Sequence, residues 1–180
     1  LNTPTVRVGM DVGPKKVARL FKSLGLTKAP QPLPSLLLGA VDLAPMEVAQ
    51  VYNSLGNGGF HAPLKAVRAV LDADGKPLER YQLKINRAAD PSAVAQLTAS
   101  MLQVVDRGTA RGARRWLPAE LGVAGKTGTS DDLRDSWFAG FTNDHVVVVW
   151  VGADDNSPTG LSGASGALPI WARLVAGFGD

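Results

Sequence analysis

Gly125-Lys126-Thr127-Gly128-Thr129-Ser130 gathers a cation, three hydroxyls and two glycines into six consecutive residues. On an extended strand this set has a definite chemistry. Lys126 is a fixed cation that can attract a carboxylate and lower the cost of developing negative charge. The Thr127 and Thr129 hydroxyls, on either side of Gly128, can hydrogen-bond the same carboxylate. Gly128 carries no side chain, so a ligand backbone can approach the strand closely. The N–H of Thr129 is then placed to donate to an oxyanion, a contact worth roughly 3–4 kcal/mol in a transition state.

Three readings compete for this segment. A phosphate-binding loop needs glycine five positions before Gly125, and Glu120 stands there. Such a loop must also open a helix, whereas Gly128, Thr129 and an acidic turn follow here. That reading fails on spacing. The second reading is the Lys-Thr-Gly strand of serine acyl-transferases that react with β-lactams. The third is an ordinary edge strand with small polar residues. The tripeptide is short, and by itself it leaves the last two open.

The surrounding elements decide how the segment is held. The spacing of Val17, Leu20, Phe21 and Leu24 predicts a helix from Pro14 to about Leu24. Ala29–Pro34 is a proline-rich connector. A second helix spans about Pro45–Leu55 and is stopped by Gly56, Gly58 and Gly59. Asp74-Gly75 predicts the turn of a hairpin with strands near Lys65–Leu71 and Lys76–Leu83. Pro91 opens a third helix through about Val105. Gly122–Ser130, Ser136–Thr142 and His145–Ala153 then read as successive strands. The Val146–Val151 run lacks alternation, which predicts a strand buried on both faces. A last helix runs over about Ala167–Ala176. Helices, an antiparallel meander and a closing helix give an α+β domain with helices packed on an antiparallel sheet.

Bulk properties narrow the classes. The chain has 180 residues, 45% hydrophobic and 19% charged, which is a globular balance. A net charge of +3 is too mild to announce a nucleic-acid binder. Arg107, Arg111, Arg114 and Arg115 beside Trp116 form the densest basic cluster, read as a solvated loop or an anionic-ligand groove, with Trp116 at the border of a substrate cleft in the second reading. Cysteine is absent, so thiolate chemistry is excluded. His61 and His145 are too few and too distant for a metal site, and no cofactor is expected. Asp131-Asp132 and Asp154-Asp155 read as solvated turns, because adjacent residues on a turn point apart. Trp137, Trp150 and Trp171 read as core. The most apolar run, His145–Val151, is far short of the ~20 residues a membrane span needs, and no signal-peptide pattern is read in these residues.

Several stretches taken together resemble the class A penicillin-binding proteins of the 1b type. They are Leu1–Val6, Leu36–Ala40, Met46–Gln50, Asn57-Gly58-Gly59, Arg107-Gly108-Thr109, Ala124–Thr129, Ser136–Gly140, Trp150-Val151-Gly152 and Gly163–Ala167. The resemblance covers nearly the whole chain and implies a partial serine β-lactamase/penicillin-binding transpeptidase fold. It implies that residues 1–180 are the C-terminal portion of that domain. Lys126, Thr127, Gly128 and Thr129 match the family's third motif and would inherit its substrate-binding and oxyanion roles, with Ser130 beside them. Asn2 matches the last residue of a Ser-x-Asn motif, with Leu1 its middle residue and the serine just before it.

The family's nucleophile motif, Ser-x-x-Lys, is not matched. None of the ten serines has lysine three positions later. The nucleophile and its base are therefore expected upstream, and the start at Leu1 is read as a processed or excised piece. The resemblance implies a peptidoglycan D,D-transpeptidase acting on stem peptides, trapped by β-lactams, with no nucleic-acid partner. The parent would be anchored at the periplasmic face of the inner membrane, within a cell-wall synthesis complex. A D,D-carboxypeptidase or β-lactamase would share the motif, and so would a non-catalytic penicillin-binding or sensor module. An unprotected sheet edge is expected, because the family's sheet takes strands from upstream.

Overall fold

Three antiparallel strands organise the molecule, a computed structural model that describes residues 2–179. Strands β5 (Ala124–Thr129), β6 (Ser136–Phe141) and β7 (Val146–Val151) form one sheet in the order β5-β6-β7. The register sets Lys126 opposite Ala139 and Gly128 opposite Trp137, while Trp137 in turn faces Trp150. Side chains alternate across a sheet, so Lys126, Gly128, Trp137 and Trp150 share one face. Thr127, Thr129, Ser136 and Phe138 share the other.

Each face has its own cover. On the Lys126 face, α3 (Pro45–Gly56) and α4 (Pro91–Asp106) contribute Tyr52, Leu55 and Met101 against Ala124, Phe141 and Val146. Pro45 and Pro91 open these helices, where a missing N–H costs nothing, and Asp90 caps α4 by accepting from Ser92 and Ala93 N–H groups. On the Thr127 face, α5 (Ala167–Ala176) buries Leu168, Trp171, Ala172 and Val175 against Phe138, Val123 and Val105. Trp171 meets Phe138 edge to face at 4.9 Å, and its indole N–H donates to the Val147 carbonyl at 2.9 Å. Truncating such a buried aromatic to alanine costs roughly 3–5 kcal/mol.

The predicted helices and the meander are present, and the α+β architecture with helices on an antiparallel sheet is as the pattern implies. Two expectations are corrected. β7 is an outer strand, half-buried rather than enclosed, with Trp150 40% exposed. Its valines match cover on both faces by α3 and α5, but no strand lies beyond it among the described residues, so its outer edge stays open. Trp150 is accordingly not a core residue. The hairpin strands are also shorter than read: β2 is Ala69–Leu71 and β3 is Pro77–Arg80, with a register shift between Val70 and Leu71. A small pair, β1 (Phe60–His61) with β4 (Asn86–Arg87), closes the base of that excursion.

One helix escaped the sequence pattern. Residues Asn2–Val12 form α1, which buries no residue and packs on α2 (Pro14–Ser23) and on a short turn of helix at Pro34–Leu38. Pro4 sits in its first turn, where proline is tolerated. Its apolar residues lack helical periodicity and stay exposed at Val8, Met10 and Val12, so no stripe marks it.

Candidate active site

Backbone alternation turns a row of backbone hydrogen-bonding groups to the open edge of β5. Ser130 N–H donates to the Asp135 carbonyl at 3.2 Å, which continues the β5–β6 ladder one pair past Thr129. In an antiparallel ladder successive residues turn their amides to opposite sides. Ser130, Gly128 and Lys126 therefore bond toward β6. Thr129 and Thr127 turn their N–H and C=O groups to the edge that has no strand partner among the described residues.

Lys126 reaches over that edge. Its ammonium donates to the Thr127 carbonyl at 2.9 Å and stands 3.4 Å from the Thr127 hydroxyl. The side chain is open to solvent, yet the protein around its ammonium lowers its pKa below the ordinary lysine value by desolvation. No ion pair among the described residues neutralises it. An unneutralised, partly desolvated ammonium beside outward-facing amides is suited to an anion.

Thr109 was missed as a site residue by sequence reasoning. Its hydroxyl lies 2.7 Å from that of Thr127. The end of α4 is built to deliver it. Gly108 N–H and Ala110 N–H both donate to the Val104 carbonyl, which folds the chain tightly past the last helical turn. A Cβ at Gly108 would stand 2.8 Å from Val104 Cα, so only glycine makes this bend without displacing the backbone. The signal was in the sequence as Arg107-Gly108-Thr109, a Gly–Thr step at a helix end, but nothing local says which strand the threonine meets.

The opposite side of the strand is clamped by the Gly160–Gly166 loop. Gly163 N–H donates to the Thr129 hydroxyl at 2.9 Å. A Cβ on Gly163 would come within 2.5 Å of the Trp137 carbonyl and 2.6 Å of the Gly128 carbonyl, so glycine is required for this approach. Buried Ser136 ties the same loop down, donating to the Ser162 carbonyl at 2.7 Å and accepting from Ala167 N–H at 2.9 Å. Ser130 accepts from Asp135 N–H at 2.8 Å and so closes the following turn, leaving its own proton uncommitted.

Lys126, Thr127, Gly128 and Thr129 are thus brought together on one strand, with Ser130 just past its end. Asn2 is not on it: this residue opens α1, whose packing partners are α2 and the Pro34–Leu38 turn. Leu1 lies outside the described residues. Beside the strand, on the Lys126 face, a groove of about 400 Å³ is lined by Val41–Pro45, Asp135, Trp137 and Trp150. The Trp150 indole donates to Asp135 at 2.9 Å and its ring tilts against Trp137 at 6.0 Å.

Other sequence candidates resolve into structure. Arg114 pairs with Asp106 at 2.8 Å and donates to the Pro118 and Leu121 carbonyls, which fastens a loop. Trp116 packs on the α5 core under the Arg173 guanidinium at 5.3 Å. His61 lies 3.2 Å from the Gln50 amide and 3.4 Å from the Ser54 hydroxyl, and His145 stacks on Phe178 at 4.6 Å.

Comparison with known proteins gives a consistent result. The family model for the penicillin binding protein transpeptidase domain matches residues 2–174. Penicillin-binding protein 1B of Vibrio cholerae is 44% identical over 179 residues, covering 97% of this chain and 22% of that protein. Penicillin-binding protein 1B of Escherichia coli is 44% identical over 178 residues, covering 98% of this chain and 21% of that protein. The chain therefore spans about a fifth of the length of these relatives. In solved structures, penicillin-binding protein 1A from Haemophilus influenzae superposes with a TM-score of 0.89 at 22% identity, over 98% of this chain and 32% of that one. Penicillin-binding protein A from M. tuberculosis, solved as an imipenem acyl-enzyme complex, gives 0.76 at 24% identity, over 99% and 46%. At these identities the two structures speak to the fold.

Proposed function

The chain belongs to the penicillin-binding protein transpeptidase family, and from that premise we propose that it forms one wall of a peptidoglycan D,D-transpeptidase cleft. The observation that carries this reading is the open edge of β5. There the Thr127 and Thr129 amides turn outward beside an ammonium that no acid among the described residues neutralises.

The reaction divides into two acyl transfers. A serine attacks the carbonyl between two terminal D-alanines, its proton passes to a base, and the C–N bond breaks as the last D-alanine leaves with a proton. The acyl-enzyme ester is then attacked by an amine of a second stem peptide. The new amide forms, the serine oxygen leaves and is reprotonated. No serine of this chain is followed at the third position by lysine, so the nucleophile and its base are assigned to sequence outside these 180 residues.

Each residue on the strand has a part in this scheme. Lys126 and the Thr127 hydroxyl hold the terminal carboxylate, and Thr109 fixes the direction of that hydroxyl. Thr129 N–H donates to the oxyanion of the tetrahedral intermediate. Gly128 lets the substrate backbone lie along the edge. Ser130 closes the turn that ends the strand and offers its free proton to the ligand. Asn2 hydrogen-bonds the substrate's peptide group once the nucleophile-bearing segment joins α1 to β5. β-Lactams acylate the same serine and stop at the ester.

Among the described residues no helix is long and apolar enough to cross a membrane. The anchor that would hold the enzyme at the periplasmic face of the inner membrane, in a cell-wall synthesis complex, is assigned to other sequence. Labelling with a fluorescent penicillin tests the reading. The full-length protein becomes covalently labelled and the 180-residue chain alone does not. Label on the 180-residue chain, or none on the full-length protein, overturns it.

A further inference from the structure

The β2–β3 hairpin stands apart from the three-stranded sheet and forms a sheet of two strands only. All four residues of β3 are exposed, as are two of the three in β2. A lone two-stranded hairpin is at best marginally stable in water and needs a third strand or a packing partner. This one also holds an excess of apolar surface. Leu78 is 69% and Leu83 61% exposed, and Val67, Leu71 and Ile85 are exposed with them. These five large apolar residues, exposed within 19 positions, are a concentration of the kind that marks interaction sites.

Charge defines what would fit. Residues 65–84 carry five cations against three acids, two of the chain's net three positive charges. The acids are placed away from the stem or occupied. Asp72 accepts from Asp74 and Lys76 N–H groups to close the turn, Asp74 sits at the tip, and Glu79 accepts from the Tyr81 hydroxyl at 3.1 Å. The cations gather at the stem. Lys65, Arg80 and Lys84, with Pro63, Tyr81 and Gln82, line a groove of about 310 Å³. Lys65 donates to the Gln82 carbonyl at 2.6 Å, which holds it at the groove with its charge unpaired. None of the ion pairs among the described residues engages these three cations.

We propose that this hairpin is a docking surface for an extended segment of a partner protein that alternates acidic and apolar side chains. The segment lies along the hairpin as an added strand, its backbone bonding to the open edge. Its acids meet Lys65, Arg80 and Lys84, and its apolar residues cover the exposed leucines. An anionic membrane fits less well, because the projecting tip carries Asp72 and Asp74 rather than apolar or basic residues.

A fluorescein-labelled synthetic peptide of alternating Glu and Val, titrated into the full-length protein, tests this by anisotropy. Saturable binding is expected, weakening as salt rises, and weakened roughly tenfold or more by Arg80→Glu with Lys84→Glu. Penicillin labelling of that variant should be unchanged, which shows that it folds and separates this surface from the cleft. Absent binding, equal binding of a Lys-Val peptide, or indifference to charge reversal overturns the proposal. So does charge-dependent binding to phosphatidylglycerol vesicles in place of the peptide. Strong amide-exchange protection of residues 65–84 in the unliganded protein would give the surface to another part of the same polypeptide and also overturn it.

Discussion

The hydroxyls of Thr109 and Thr127 lie 2.7 Å apart and join the end of α4 to the middle of β5. Each hydroxyl has one proton to give. When Thr109 donates to Thr127, the Thr127 proton is free for a ligand carboxylate, and its direction is fixed by a helix end rather than by solvent.

Replacing Thr109 with Val removes that donor and leaves the backbone in place. The loss of one hydrogen bond of about 1 kcal/mol corresponds to acylation by benzylpenicillin slowed roughly fivefold in the full-length protein. Thr109→Ser should retain the wild-type rate. A Val variant as fast as wild type, or a Ser variant as slow as Val, contradicts the role given to the hydroxyl.

Lys126 gives the site a pH signature. Its pKa is lowered by desolvation, so the ammonium is lost at a lower pH than from a free lysine. Attraction of a carboxylate is complete below that lowered pKa and disappears as pH rises through it. The alkaline limb of the acylation rate should thus fall below the ordinary lysine value of 10.5, and Lys126→Arg should move it beyond the measurable range. A limb that stays in place in the Arg variant would assign it to another group.

Gly163 must approach the strand within backbone contact, and a methyl group there would meet the Trp137 and Gly128 carbonyls. Gly163→Ala should displace the loop that holds Thr129. Acylation should fall well beyond the fold-change of Thr109→Val, while Gly160→Ala, at a position with open space but a φ of +71°, should reduce stability without a comparable loss of acylation. Equal acylation in the Gly163 variant and wild type would show that the loop does not position the strand.

Tyr52 supports the Lys126 face from below, packed against Met101, Ala124 and Phe141. Burial pushes its phenol up to about 12 from 10.0. A pKa raised in the folded state contributes stability that is present below pH 10.0 and is lost as pH approaches 12. The shift corresponds to about 3 kcal/mol. Chemical unfolding across that range should show the loss in wild type and not in Tyr52→Phe. An identical alkaline decline in both would place the titrating group elsewhere.

The fold was legible where local chemistry decides it. Pro45, Pro91 and the Asp74-Gly75 turn mark element ends that any context preserves, and the meander follows from strands joined by short turns. Sequence failed where distant partners decide. The Val146–Val151 run reads as enclosed because its residue types match cover on two faces, yet enclosure also needs a neighbouring strand. Trp150 reads as core by type but turns to Asp135 at the surface. For the site, Lys126–Thr129 was visible as a contiguous motif. Thr109 was not assigned to it, since a contact across 18 positions has no local signal. Asn2 rested on resemblance, and it opens α1, a helix that no local pattern marked.

The most direct test concerns Lys126 itself. The second-order rate constant for acylation by a fluorescent penicillin should be measured in the full-length protein and in its Lys126→Ala variant. Loss of a charge-assisted contact to the carboxylate should slow acylation roughly 10- to 100-fold. An unchanged rate would remove Lys126 from the reaction and contradict the assignment of β5 as a wall of the cleft.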